Sequence, residues 1–212
     1  MKKLAIAGAS VALAAMPVVG VFAEGNDGTL SQTDTVVVTV ESACSLTSNH
    51  EEDTPTPNKY AATITNGAAN TSITGSALTI TCNDTGGWDL NAIGAGTATG
   101  HNNYMDASTN VDDDDIVTAD GTPTASSSAW AFKVAKSGTD SETAATITTG
   151  YTGFKAVPSS STKIVTGTST KGNVTITATY GVSIDDTQSA GTYTGKVQYT
   201  LVHPAATTPT EG

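Results

Sequence analysis

The sequence predicts an all-β protein: an antiparallel β-sandwich of about eight to ten strands, Greek-key-like, with one disulfide. Three observations carry that prediction. Many short segments alternate apolar and polar residues with period two, as half-buried strands do. Gly, Asn, Asp and Pro punctuate those segments, and beyond the N-terminus no sustained stretch has helical period. Charged residues make up only 14% of the chain, about half the usual share, and Thr, Ser and Asn take the surface positions instead.

The N-terminus sets the address. Lys2 and Lys3 precede an apolar run from Leu4 to Val19, and Val21-Phe22-Ala23 is a small-x-small site before Glu24. Residues 1–23 therefore read as a secretory signal peptide cleaved between Ala23 and Glu24, an uncleaved membrane anchor being the alternative. Residues 24–33 read as a mobile polar segment, 34–204 as the β-sandwich domain and 205–212 as a flexible tail. Export places the protein outside the cell, secreted or on the cell surface. The basic residues are all Lys. Without Lys2 and Lys3, seven of them face 20 acids, a net charge of −13. Seven dispersed Lys cannot build the positive face that nucleic-acid binding requires.

The first strand is read at residues 34–42, DTVVVTVES, with Val36, Val38 and Val40 in the register of Cys44. Residues 45–58, with His50, three acids and two Pro, read as an exposed loop. A modest strand signal at Tyr60, Ala62 and Ile64 ends at the turn pair Asn66-Gly67. SALTITC, residues 76–82, and WDLNAIG, residues 88–94, read as a hairpin around the NDTGG turn, with Trp88 and Leu90 inward. Leu78, Ile80 and Cys82 share a parity, so both cysteines point the way the core residues do. Two cysteines in an exported chain make a Cys44–Cys82 disulfide the expectation, with free buried thiols as the alternative.

From Gly94 to Ser128 periodicity is lost, which marks a functional or disordered loop. Trp130, Phe132 and Val134 then restore alternation, opposite Ala129, Ala131 and Lys133. Weak or Gly-punctuated strands follow at residues 143–148, 151–158 and 162–168. Two clear alternations close the chain. Val174, Ile176, Ala178, Tyr180, Val182 and Ile184 share one face, and so do Tyr193, Gly195, Val197, Tyr199 and Leu201. These two segments are read as a hairpin joined by residues 185–190.

The chemistry-bearing inventory is thin. Asp112, Asp113, Asp114, Asp115 and Asp120 form the only concentrated charge and a weak calcium candidate, because a hard cation takes carboxylate oxygens. The EF-hand pattern is absent, and a solvated acidic loop tip is the favoured reading. His50, His101 and His203 are isolated, and no Ser or Cys sits in a nucleophile turn. No catalytic residue, cofactor site or other metal site is assigned, and the reading is non-enzymatic. Asn70, Asn83 and Asn173 begin matches to the glycosylation acceptor pattern that chance alone explains in so Asn- and Thr-rich a chain.

Two motifs carry a family resemblance. WDL at Trp88–Leu90 and the closing GTYTGKVQYTL, residues 191–201, resemble the two-part signature of WxL-type cell-wall-binding domains. Tyr199 stands where the second Trp of that pattern falls, and the cysteine pair is not part of it. The whole layout is similar to a family of uncharacterised secreted β-sandwich surface proteins from Gram-positive-type and ultra-small episymbiotic bacteria. It comprises an early Cys, a second Cys before a short aromatic strand, Trp130 to Lys133, Phe154 to Pro158 and the closing strand. The resemblance implies envelope association or adhesion, with peptidoglycan or a host-surface glycan or protein as partner. If it is functional, exposed faces near Trp88 and Tyr199 are the first place to look for binding; period-two patterning instead puts both rings in the core and shifts the expected recognition region to the irregular Gly94–Ser128 stretch. The alternatives are a self-associating subunit of a surface layer or pilus-like fibre and, last, a secreted carbohydrate-active enzyme.

Overall fold

The computed structural model describes residues 43–48, 60, 62–98, 100–107, 115–140, 144–169 and 173–203. All belong to one compact unit that starts at Ala43. Outside the described residues lie the expected signal peptide with its expected Ala23–Glu24 cleavage site, the segment 24–33, the strand expected at 34–42, His50, Asp112, Asp113, Asp114 and the segment 205–212. Among the described residues no helix is long and apolar enough to cross a membrane.

Every element of the described chain is a strand. In order they are β1 (Cys44–Ser48), β2 (Thr71–Cys82), β3 (Trp88–Gly94), β4 (Asp106–Ala107), β5 (Val117–Thr118), β6 (Ala129–Ser137), β7 (Ala145–Ile147), β8 (Thr162–Gly167), β9 (Val174–Ser183), β10 (Tyr193–Thr194) and β11 (Val197–Val202). They form a five-stranded sheet ordered β1-β2-β9-β6-β5, a four-stranded sheet ordered β11-β3-β8-β7 and a small β10-β4 pair. All pairings are antiparallel except β5 with β6. One hydrophobic cluster draws on both large sheets, with Ile80, Phe132, Val174 and Ile176 from the first and Trp88, Leu90, Ile164 and Val165 from the second.

The disulfide joins Cys44 to Cys82, residues directly opposite each other in the β1–β2 ladder. Its loop of 38 residues stabilises the fold by about 4 kcal/mol on the chain-entropy account. The strand at Cys44–Ser48 corrects the loop expected there. Leu46 lies opposite Ile80 and packs against the core, and this short alternation is hidden in the sequence by the acids and prolines that follow it. Of the strand expected around Tyr60–Ile64, the described residues Tyr60 and 62–64 form none. The turn at Asn66-Gly67 does form, with Gly67 at φ 75° and the Ala68 N–H donating to the Thr65 carbonyl.

Both expected hairpins are corrected. β2 and β3 lie in different sheets, as do β9 and β11. The NDTGG turn therefore carries the chain from one sheet to the other. Asp84 holds it, its carboxylate accepting from the Gly86 N–H at 2.8 Å and its carbonyl from the Gly87 N–H at 3.1 Å, with Gly87 at φ 81°. The loop after β9 makes the same crossing on Asp185, whose Oδ1 accepts from the N–H groups of Thr187 and Gln188. Asp185 is held below the usual carboxylate range, chiefly by its hydrogen bond from the Thr187 hydroxyl. Turn residues that close hairpins serve such crossovers equally well, because they fix the reversal and leave the partner open.

Residues 95–98, 100–107 and 115–128 are mostly irregular, as the lost periodicity predicts, with only the short β4 and β5, and they are anchored to the sheets. The Asn102 side chain donates to the carbonyls of Gly94 and Ser159, and the Asn103 side chain donates to that of Val157. These anchors reach across more than fifty residues in two cases, so local periodicity carries no trace of them.

Candidate functional site

A cleft of 1160 Å³ is lined by residues from both large sheets. Its aromatic walls come from four separate segments: Tyr60 before β2, Trp130 on β6, Tyr180 on β9 and Tyr199 on β11. Alternation places Tyr180 and Tyr199 inward on their strands. They meet across the cleft, hydroxyl to hydroxyl, at 3.0 Å. Trp130 stacks near Tyr180 with ring centroids 6.2 Å apart, and its indole N–H donates to the Asn103 carbonyl at 3.0 Å. The Tyr60 hydroxyl lies 3.2 Å from that of Ser76.

Two glycines make room for these rings. A Cβ on Gly75 would lie 2.5 Å from the Tyr180 ring, and one on Gly195 would lie 2.7 Å from Trp130. Gly75 falls in the bulge that shifts the β2–β9 register between Thr74 and Ala77, where an extra residue bends the strand and opens space above its neighbour. Gly195 breaks the last alternation into β10 and β11.

Burial raises the Tyr199 phenol well above its usual range, with Tyr180 beside it adding to the effect. Burial also raises Tyr180, partly offset by its hydrogen bond with Tyr199. Both phenols are therefore neutral across physiological pH. Lys196 is the one charged residue among the described lining residues, and the other polar groups are Ser48, Ser76 and Gln198. Aromatic faces beside neutral hydroxyl and amide groups suit a ligand with apolar C–H faces and many hydroxyls.

The WxL-like stretch lies elsewhere. Trp88 is 2% exposed, and its indole N–H donates to the Thr168 carbonyl at 2.9 Å. Its ring covers Gly167, where a Cβ would fall 2.0 Å from it. A smaller recess of 290 Å³ nearby is lined by Trp88, Asp89, Val202 and His203 among others. Asp89 there pairs with Lys163 at 2.6 Å, and His203 Nδ1 lies 3.8 Å from the Asp84 carboxylate. Trp88 is thus almost wholly buried and borders only the smaller recess, whereas Tyr199 lines the larger cleft.

The two acidic-run residues that are described have separate protein partners. Asp115 accepts from the Ala107 N–H at 3.0 Å. Asp120 pairs with Lys155 at 3.2 Å and accepts from the Ala156 N–H at 2.9 Å. That backbone donor, then Lys155, holds the Asp120 carboxyl below its ordinary value. Among the described residues no three His, Cys, Asp or Glu side chains are grouped to hold a metal ion. His101 stacks on Tyr104 at 4.3 Å. Of the acceptor-pattern asparagines, Asn83 accepts from the Ala43 N–H at 2.5 Å and Asn173 from the Thr139 N–H at 3.3 Å, while Asn70 adopts φ 36° just before β2.

Sequence reasoning missed the cleft because its walls are up to 139 residues apart, from Tyr60 to Tyr199. The one available signal was the run of inward-facing aromatics on the last two long alternations. No protein-family model matches the chain, and neither a curated protein nor a solved structure shows significant similarity to it.

Proposed function

We propose that this chain is an exported, non-enzymatic surface protein that associates with the bacterial envelope by binding a glycan, peptidoglycan first among them, in the aromatic cleft. Its two sheets face each other as a Greek-key-like β-sandwich, and the disulfide ties down one lip of the cleft. The observation that carries the reading is the convergence of Tyr60, Trp130, Tyr180 and Tyr199 on one opening edged by hydroxyl and amide groups. The N-terminal signal pattern and the WxL-like closing strand support the location, and the cysteine pair fits an oxidising compartment. The cleft takes over the role that the family resemblance would have given to Trp88.

Cell-wall pelleting tests the reading. The chain without residues 1–23 should sediment with isolated walls, and Tyr60→Ala, which leaves both sheets intact, should sediment less. Failure of the parent chain to sediment would sink the wall-binding proposal.

A further inference from the structure

β11 is the edge strand of the four-stranded sheet and pairs only with β3. Its six residues make it the longest of the four edge strands of the two large sheets; β1 has five, β7 three and β5 two. Natural sheets guard such edges with charge, proline, bulges or shortness. VQYTLV has none of these, and its solvent-facing residues are Gln198, Thr200 and Val202, the last 46% exposed.

The backbone phase of this edge is fixed by two bonds. The Ala95 N–H donates to the Lys196 carbonyl, and the Gly94 N–H turns away from β11 to the Pro158 carbonyl. With Lys196 opposite Ala95 and Val197 opposite Gly94, the even-numbered residues of β11 face β3. Val197, Tyr199 and Leu201 therefore direct their N–H and C=O groups away from the sheet. No described strand accepts them.

We propose that this edge pairs with the same edge of a second copy of the chain, antiparallel and two-fold symmetric, with Tyr199 opposite Tyr199 of the other copy. In that register Val197 faces Leu201 of the second copy, and all three outward residues find partners, for about six backbone hydrogen bonds. The charges favour this edge. Two chains without residues 1–23, each of net charge −13, repel, but the joint carries no acid, and the register sets Lys196 opposite Val202 and His203 opposite Gly195. Added salt strengthens the association by screening the remaining repulsion. Val197 and Tyr199 also line the cleft, so pairing brings two clefts together at one joint and multiplies their hold on a repetitive ligand.

The test uses the chain without residues 1–23, with its native disulfide intact. Sedimentation velocity should show a concentration-dependent dimer that salt favours. Gln198 and Thr200 of the two copies face each other as non-hydrogen-bonded neighbours, the spacing a disulfide spans. An oxidised equal mixture of Gln198→Cys and Thr200→Cys should therefore give a covalent dimer that neither variant gives alone. Val197→Pro removes an outward N–H without touching the β3 ladder, and should leave a folded monomer. If the proline disturbs folding, Thr200→Glu, a solvent-facing change, should still raise the dissociation constant severalfold. A chain that stays monomeric at high concentration, or a cross-link that forms as readily in each variant alone, overturns the proposal. Wall pelleting by a strictly monomeric chain would overturn it while leaving the cleft reading in place.

Discussion

β9 and β11 carry the same period-two alternation, and the fold uses them in opposite ways. β9 lies at the centre of the five-stranded sheet between β2 and β6, with Val174, Ile176 and Ala178 at most 1% exposed. β11 lies at the edge of the other sheet, and its inward residues Val197, Tyr199 and Leu201 are only partly buried. The difference comes from what covers each strand. β9 has a ladder along each edge, whereas β11 has a ladder along one edge only and lines the cleft with Val197 and Tyr199. An alternating pattern specifies which side of a strand is apolar; the neighbours decide how far that side leaves water.

The comparison can be strained from the strong side first. Cys44→Ala with Cys82→Ala releases the β1 lip and should cost about 4 kcal/mol in urea unfolding. Ile176→Ala, at the buried centre of β9, should cost about 3 kcal/mol. Leu201→Ala on β11 should cost only about 1–2 kcal/mol, because its side chain is already partly hydrated. Equal losses at these two positions would contradict the difference in burial between the strands. Tyr199→Phe removes the hydroxyl contact that links the strands and should cost about 1 kcal/mol.

The same pair sets a pH dependence. A phenol whose folded pKa lies above its unfolded value near 10 favours the folded state while it is protonated. That contribution is fully present below about pH 10 and is lost as pH rises toward the folded values. Stability should therefore fall above pH 10, and it should fall less steeply in Tyr199→Phe, where the more strongly raised phenol is gone. Denaturant unfolding between pH 8 and about 11.5 checks both statements.

Strand faces were largely legible in the sequence. The parity of Trp88 and Leu90, of Leu78, Ile80 and Cys82, and of the β9 residues matches their burial, because period two is a local property of each strand. Partners were not legible. Asp84 and Asp185 hold crossovers where hairpins were expected, since the same residues serve both geometries. On β6, Ala129 and Ala131 are buried as deeply as Trp130 and Phe132, so both faces of this stretch are covered, which alternation alone does not reveal. Phe132 exchanges backbone hydrogen bonds with Lys155 along one edge of β6, and Tyr151 packs beside it with centroids 5.3 Å apart. The cleft was the least legible feature, because it exists only where four distant segments meet.

The central claim is that the cleft binds envelope glycan, and the two tryptophans give it a direct readout. Trp130 lines the cleft, while Trp88 is packed over Gly167 in the other sheet. Trp88→Phe leaves Trp130 as the sole indole. Titrating that variant with solubilised peptidoglycan fragments should change the Trp130 emission saturably, and the change should be weakened by adding Tyr60→Ala. Unchanged Trp130 emission in a folded protein, up to saturating concentrations of fragments, would contradict the account.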